Sequence, residues 1–340
     1  MKVTIKDIAR ECGVSISAVS LVLNNRESRI SEETRRRVID VAAKYNYRPN
    51  KLAVSLLKKS TSTLGIIIPD ISNIFFAELC KGCETEARRS GYTLMVTSSD
   101  EFPSDSTQHI NTLIDSQVDG IVYVAPSNID NQSIQAICSK IGEANVPFVA
   151  VDRALDLPFA KSVLIDNVYG GYIATRHLLG LGHRRIGCVT GPLCNKISID
   201  RREGYRTALA EFGVAYDPAL ILEGDFSIGS GHRSLAYMRG QDATALFCFN
   251  DMMAMGAYRA IRDYSLPFPQ ALSLVGYDDI FITDLLETPL TTVNQPAYEI
   301  GASSIRSLLA LARGDAAVDN VVFTPNLKIR SSTCPPPQAG

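Results

Sequence analysis

The chain has 340 residues, 46% of them hydrophobic and 21% charged, with a net charge of −2, eight cysteines and no tryptophan. No stretch of eighteen apolar residues occurs and no apolar signal run leads the chain, which argues against a membrane-spanning helix and makes a cytoplasmic location the expectation. The near-neutral total hides an asymmetry. Residues 1–60 carry thirteen Lys and Arg against six Asp and Glu, or +7, whereas residues 61–340 carry twenty-one against thirty, or −9. A basic head on an acidic body suggests a nucleic-acid-binding segment joined to a second module.

Thr4 stands three residues before Asp7, a capping-box variant. Ile5, Ile8, Ala9 and Cys12 then recur at helical spacing until Gly13, which suits a left-handed helix stop. Ser15 is a second cap candidate ahead of a short helix from Ile16 to Leu23, with Val19, Val22 and Leu23 facing inward. Ser31, followed by Glu32 and Glu33, opens a third helix to about Tyr45, whose Val38, Val41 and Ala42 give the floor. Two short helices joined by a Gly-containing turn predict a helix-turn-helix unit. The second helix begins with short side chains (Ser15, Ser17, Ala18, Ser20), so it can approach base edges closely. Lys2, Lys6, Arg26, Arg29 and Arg35 to Arg37 surround it with phosphate-seeking charge.

Thr4-Ile5-Lys6-Asp7-Ile8-Ala9, Gly13-Val14-Ser15, Val22-Leu23-Asn24, Ser31-Glu32-Glu33-Thr34-Arg35 and Tyr47-Arg48-Pro49-Asn50 resemble the head of the lactose/galactose repressor family of bacterial transcription regulators. The resemblance implies a DNA-binding domain over 1–48 and a hinge helix and linker over 49–60. Its Leu56 would wedge into the minor groove of operator DNA. An eight-residue helix is unstable alone in water, so such a hinge is expected to order only against its dimer mate and DNA. The implied DNA-contacting set is Thr4, Ser15, Ile16, Ser17, Ser20, Leu21, Asn24, Arg29, Asn50 and Leu56. Leu21 stands where the family often has Arg, which removes a guanine contact. With Ile16 and Leu21 facing bases, thymine-methyl contacts are expected instead.

Beyond Lys59 the apolar pattern changes period. Strand-length runs fall at Leu64–Ile68, Tyr92–Val96, Gly120–Val124 and Pro147–Val151, about 28 residues apart with helical patterns between them. A second series falls at Val163–Ile165, Arg185–Val189, Leu220–Leu222, Ala245–Phe249 and Leu272–Val275. Repeated βα units predict parallel sheets flanked by helices, and some 280 residues exceed one comfortable core. Two α/β lobes with a ligand cleft between them are expected over 61–340. The first lobe would take about 61–162 and 295–323, the second about 163–294 and 324–340.

Cys80-Lys81-Gly82-Cys83 has CxxC spacing but lies inside a helical pattern, away from a helix start that would activate a thiol. Two residues on one helix face are the better account than a redox or zinc site. The other cysteines read as reduced thiols. The four histidines (His109, His177, His183, His232) are dispersed, and no hydrolase, metalloprotease, P-loop or dinucleotide motif is present. No enzyme activity, metal or cofactor is expected.

Ligand-type residues do occur just past strand ends, where open α/β sheets bind ligands. Asn73, Phe75 and Phe76 follow the first strand, and Asp152 and Arg153 the fourth. Arg201 is expected to open a helix after Gly191-Pro192. Phe226 follows Gly224-Asp225, Asn250-Asp251 and Gly276-Tyr277-Asp278 each end a strand, and Gln295 follows Thr291-Thr292. Singly, Asn250 reads equally as a cap and Phe76 as core; jointly they mark a site. Ser72–Phe76, Val151–Arg153, Asn250–Ala257, Val275–Asp278 and Leu290–Pro296 also resemble the family's periplasmic-binding-protein-like effector domain, with Ile74 in place of a frequent proline. The resemblance implies that Asn73, Phe75, Phe76, Asp152, Arg153, Arg201, Phe226, Asn250, Asp278 and Gln295 bind a small effector. Charged and amide groups would meet sugar hydroxyls while Phe faces cover C–H surface. A monosaccharide is the expected effector. Lys196 leaves a phosphorylated sugar open, and a nucleobase-responsive regulator or a stand-alone sugar-binding module remains the alternative. The chain is thus expected to be a homodimeric, effector-switched repressor on pseudo-palindromic duplex DNA, with no membrane partner. Neither induction nor corepression is fixed by the residues.

Overall fold

The computed structural model describes residues 3–23, 30–47, 60–100, 102–153, 155, 160–315 and 317–337. Asn24, Arg29, Asn50 and Leu56, and with them the expected hinge helix, lie outside the described residues. The chain divides into two compact units, residues 1–61 and 62–340.

The head unit contains α1 (Ile5–Cys12), α2 (Ile16–Leu23) and α3 (Glu32–Lys44). The Asp7 carboxylate accepts from both the Thr4 backbone N–H (3.0 Å) and the Thr4 hydroxyl (2.7 Å), which fixes the start of α1. Gly13 ends α1 at φ 64°, a left-handed conformation that costs glycine little. The Ser15 hydroxyl accepts from the Ala18 N–H, and that of Ser31 from the Thr34 N–H, so α2 and α3 begin at the residues expected to cap them. Ile8, Ala9, Cys12, Val19, Val22 and Val38 form the core of this unit, and Val41 packs against it.

The body holds two six-stranded sheets. The first has the order β11-β5-β4-β3-β1-β2, in which β3 (Ile121–Tyr123) is central and β1 (Thr63–Ile68) lies between it and the edge strand β2. The others are β2 (Thr93–Ser98), β4 (Phe148–Val151), β5 (Lys161–Ile165) and β11 (Val321–Phe323), and all its pairings are parallel. The second has the order β12-β10-β9-β8-β6-β7. It is built from β6 (Ile186–Thr190), β7 (Ile221–Glu223), β8 (Ala245–Cys248), β9 (Ser273–Asp278) and β10 (Thr291–Asn294), with β12 (Asn326–Lys328) antiparallel on the edge.

The boundary between the lobes differs from the sequence expectation at one strand. Val163–Ile165, assigned above to the second lobe, belongs to β5 in the first sheet. There β5 pairs with Val149–Val151 on one side and Val321–Phe323 on the other. The chain first changes lobe after Ile165, returns between β10 and α11 (Ala297–Ala312), and changes again between β11 and β12.

Three helix pairs cover the sheets with their backbones in close approach. These pairs are α4 (Ile74–Arg89) with α11, α7 (Asn167–Gly180) with α8 (Lys196–Glu211), and α9 (Ile228–Arg239) with α10 (Asp251–Asp263). Each crossing has a glycine on both helices. A Cβ at Gly82 would lie 2.0 Å from the Tyr298 carbonyl oxygen, and one at Gly301 2.1 Å from that of Leu79. The same reciprocity joins Gly171 to Arg201 and Gly204 to Val168, and joins Gly231 to Met253 and Gly256 to Ile228. Cys83 sits inside the first of these crossings, its thiol donating to the Gly301 carbonyl. Burial pushes both Cys80 and Cys83 up to about 12, so neither offers a thiolate near neutrality.

His183 is buried and bonded through both ring nitrogens: to the Thr244 hydroxyl on one side, and to the Ser273 hydroxyl and Cys334 carbonyl on the other. It fastens the chain after β12 to the second lobe. Among the described residues no helix is long and apolar enough to cross a membrane.

These crossings generate a stability prediction. Gly256→Ala places a methyl group 2.0 Å from the Ile228 oxygen and is expected to cost about 1–3 kcal/mol, the usual range for overpacking. Gly142, exposed in α6 (Asn131–Ala144), has no neighbour within 4 Å of its virtual Cβ. Gly142→Ala should therefore gain roughly 0.5–1 kcal/mol from helix propensity. Denaturant unfolding of the two variants beside the parent checks both signs.

Candidate functional site: a head surface and an inter-lobe cleft

On the head, α2 presents Ser15, Ile16 and Ser17 to solvent, with Ile16 45% exposed. Leu21 and Ser20 are half-buried on its next turn. No acidic residue lies in the first turn of α2, so the positive end of its dipole is uncompensated where an anion would approach. Lys6, Arg36 and Arg37 are exposed, while Arg35 pairs with Glu32 at 3.8 Å. Thr4 is exposed, but its hydroxyl and N–H are both committed to Asp7, so its first role is to start α1.

In the body, Asn73, Phe75, Phe76, Asp152, Arg153, Arg201, Phe226, Asn250, Asp278 and Gln295 all line one cleft between the lobes. Asp70, Ile197, Asp225 and Ser227 complete its lining and were not singled out from the sequence as ligand-type residues. The first lobe supplies Asn73, Phe75 and Phe76 from the start of α4, where the Asn73 side chain caps Phe75 N–H at 3.1 Å. The two Phe rings meet edge to face, with centroids 5.3 Å apart. Arg153 lies 5.9 Å above the Phe76 ring, donates to the Ala125 carbonyl and stands 3.8 Å from Asp152.

From the second lobe comes Arg201, 3% exposed. It lies in the second turn of α8, not at the helix start as expected, because Asn195 caps α8 six residues earlier through the Ile197 N–H. Its guanidinium stacks on the Tyr277 ring at 3.5 Å, donates from Nε to Asn167 Oδ1 at 2.8 Å, and bonds the Phe249 carbonyl. Asn250 does two jobs already: its oxygen caps α10 through the Met253 N–H, and its amide donates to the Phe226 carbonyl at 3.0 Å. Phe226 is thereby held at φ 64°, its ring over Gly191, where a Cβ would come within 2.0 Å.

Asp278 accepts from Gln295 Nε2 at 2.6 Å, and the Gln295 Oε1 is buried with no hydrogen-bond partner among the described residues. Burial raises the Asp278 carboxyl to about 7 against the opposing pull of Arg201, with Asp152 adding repulsion. Asp152, Phe226 and Asp278 (φ 119°) all have positive φ, a strained backbone for side-chain-bearing residues. Asp251, the neighbour of Asn250, does not line the cleft. It is fully buried, accepts from the Thr292 hydroxyl and the Ile280 N–H, and burial raises its pKa well above the ordinary carboxylate range.

The two lobes are also bridged directly. The Asn195 amide donates to the Ser127 carbonyl of the first lobe at 3.1 Å. Four carboxylates, two guanidiniums, three amides and three Phe rings thus converge on one space. Such a lining can donate to and accept from a hydroxyl-rich ring and cover its apolar faces.

Similarity to known proteins follows the two units. Residues 4–50 match the bacterial regulatory proteins of the lacI family, and residues 175–333 match a periplasmic binding protein-like domain. The chain is 36% identical to the HTH-type transcriptional regulator DegA of Bacillus subtilis, over 98% of this chain and 99% of that one. It is 35% identical to the ribose operon repressor of Haemophilus influenzae, over 90% of this chain and 91% of that protein. Among solved structures, a lac repressor dimer bound to operator and an anti-inducer is 28% identical at a TM-score of 0.87, over 98% of this chain and all of that one. A regulator from Enterococcus faecium with bound ribose is 28% identical at a TM-score of 0.73, over 80% of this chain and 99% of that one.

The cleft's carboxylates make a pH prediction with a definite sign. The folded protein keeps a proton on Asp278 up to about pH 7, whereas an unfolded aspartate releases it near pH ~4. Between those values the folded state binds the extra proton, so this contribution to stability is complete at low pH and is lost as pH rises through 7. Burial of His177 and His183 favours their neutral forms and acts in the opposite sense. Asp278→Asn leaves those histidines in place. Unfolding between about pH 5 and pH 8 should therefore show a smaller loss of stability with rising pH in the variant than in the parent.

Proposed function

We propose, for a chain that belongs to the lacI family of bacterial regulatory proteins, that it is a homodimeric repressor whose operator affinity is set by a neutral monosaccharide in the inter-lobe cleft. The observation that carries the ligand class is the cleft's charge. Asp70, Asp152, Asp225 and Asp278 outnumber Arg153 and Arg201, and each arginine already spends donors on a backbone carbonyl. A phosphate brought there would meet more carboxylate than guanidinium. Lys196, the residue that left a phosphorylated sugar open, is paired with Asp200 and does not line the cleft. A neutral polyol meets acceptors and donors together and forms charge-assisted bonds to both.

In this reading Phe75, Phe76 and Phe226 cover the ring faces, Asp152, Asp278, Asn73 and Gln295 take hydroxyls, and Arg153 and Arg201 donate. Asn250 reaches the sugar indirectly, through the Phe226 it holds. On DNA, Ser15, Ile16, Ser17, Ser20 and Leu21 meet the major groove. Thr4, Arg29 and Asn50 meet phosphates, Asn24 follows α2, and Leu56 enters the minor groove. Two heads on one dimer match a two-fold operator. Closure of the lobes on a sugar shifts the pairing of the hinges, with a coupling of about 1–3 kcal/mol. The protein acts in the cytoplasm and performs no catalysis on its effector.

Thermal melts of the full chain against D-ribose, D-glucose, D-galactose, ribose 5-phosphate, glucose 6-phosphate and hypoxanthine test the assignment. A neutral sugar should raise the melting temperature. That rise should shrink in Arg201→Ala and in Asp278→Ala, each losing bonds to a charged group worth about 1.5–3 kcal/mol. Stabilisation by a phosphorylated sugar or hypoxanthine alone would refute the neutral-sugar reading, and equal stabilisation of parent and variants would refute the cleft. Operator selection provides a separate check on the head. Thymine is expected opposite Leu21, and a dominant guanine there would contradict the proposed contact.

A further inference from the structure

The first change of lobe, between β5 and α7, carries a side chain that no ligand-type pattern marks. Asn167 is the first residue of α7 and is 6% exposed. Its amide donates to the Ile165 carbonyl at the end of β5 (3.3 Å). Its oxygen accepts twice, from Arg201 Nε at 2.8 Å and from the Tyr277 hydroxyl at 3.3 Å. Tyr277 is also the ring on which Arg201 stacks. One carboxamide therefore joins a backbone oxygen of the first lobe's edge to both groups that fix the cation of the second lobe.

The surrounding backbone is shaped to admit this arrangement. A Cβ at Gly170 would lie 2.1 Å from the Tyr277 hydroxyl oxygen, and one at Gly171 2.1 Å from the Arg201 carbonyl oxygen. Helix α7 thus comes close enough for Asn167 to reach both partners only because these two positions lack side chains. Arg201 Nε is taken by Asn167 and one Nη1 N–H by the Phe249 carbonyl, so the N–H groups left for a ligand are on the terminal nitrogens.

We propose that Asn167 is a positioning residue of the effector site: it ties the setting of Arg201 in the cleft to the first lobe crossover, so that a ligand engaging the guanidinium also fixes that crossover. This rests on the reading of the cleft as an effector site. Physically, Asn167 converts a local bond at the guanidinium into a constraint on the segment 165–167, the first at which the lobes are joined.

A double-mutant cycle on the full chain tests the tie without any ligand. If Asn167 acts through Arg201, the melting-temperature losses of Asn167→Ala and Arg201→Met should fall well short of adding in the double variant. Should Arg201→Met fail to fold, Tyr277→Phe paired with Asn167→Ala closes an equivalent cycle. Asn167→Asp keeps the acceptor for Arg201 and removes the donor to Ile165, so it should restore most of the loss seen in Asn167→Ala. Additive losses, or Asn167→Asp behaving like Asn167→Ala, would overturn the proposal and leave Asn167 a simple tie to Ile165. D-ribose and D-glucose are added in a second arm. A sugar-dependent rise that Arg201→Met abolishes, with an additive cycle, sinks the tie but spares the sugar site. A non-additive cycle with no response to either sugar keeps the tie and counts against the sugar.

Discussion

The stacking of the Arg201 guanidinium on the Tyr277 ring, 3.5 Å away and out of reach of most solvent, is the contact around which the cleft is arranged. A buried cation is costly unless it is bonded and balanced by charge. Here Asn167 and the Phe249 carbonyl satisfy two nitrogens, while Asp278 supplies opposing charge once it ionises near pH 7. The same burial raises the Asp278 carboxyl, and Gln295 in turn holds it by a 2.6 Å bond. The polar network therefore runs from the first lobe crossover at Asn167, through the cleft, to Gln295 beside the second crossover. A site built this way is joined mechanically to the segments that set the lobes against each other.

The strain in the cleft fits that arrangement. Asp152, Phe226 and Asp278 occupy positive φ, and non-glycine residues adopt such conformations only when their surroundings hold them there. Phe226 is held by the Asn250 amide on its carbonyl and by the absence of a side chain at Gly191 beneath its ring. Asn250, which reads in isolation as either a helix cap or a ligand residue, is a cap and a clamp at once. Breaking its bond to the Phe226 carbonyl would release the aromatic wall of the cleft.

Much of this was legible in the sequence, for identifiable reasons. Helix starts at Ser15, Ser31 and Asn250 are local chemistry, so the cap residue announces them. Strand-length apolar runs revealed β1, β3, β4, β6 and β8 because buried parallel strands are hydrophobic on both faces. β10 escaped that series because its buried side chains include Thr291 and Thr292. Their hydroxyls are satisfied by distant partners such as Asp251, and no periodicity encodes that. β5 was placed in the wrong lobe since an apolar run does not say which neighbour it will pair with. The ten cleft positions were accessible because ligand-type residues followed several strand ends. Asn167 was invisible as a site component, because what distinguishes it is a bond to a residue 34 positions away, and Tyr277, although it ends a strand beside Asp278, gave no sign of its stack on Arg201.

The glycine-crossed helix pairs supply the remaining constraint. Gly171 brings α7 against the backbone of Arg201 itself, so the helix that carries Asn167 and the helix that carries Arg201 touch where the cleft's cation is anchored. At a backbone-to-backbone contact this close, a small shift of one helix is passed to the other instead of being absorbed by flexible side chains. Relative motion of α7 and α8 is then confined, and the freedom left to the second lobe lies mainly in the crossovers. On the proposed function, an effector bound to Arg201 and Asp278 has little means of adjusting its own lobe internally. It acts by changing how the two lobes are joined.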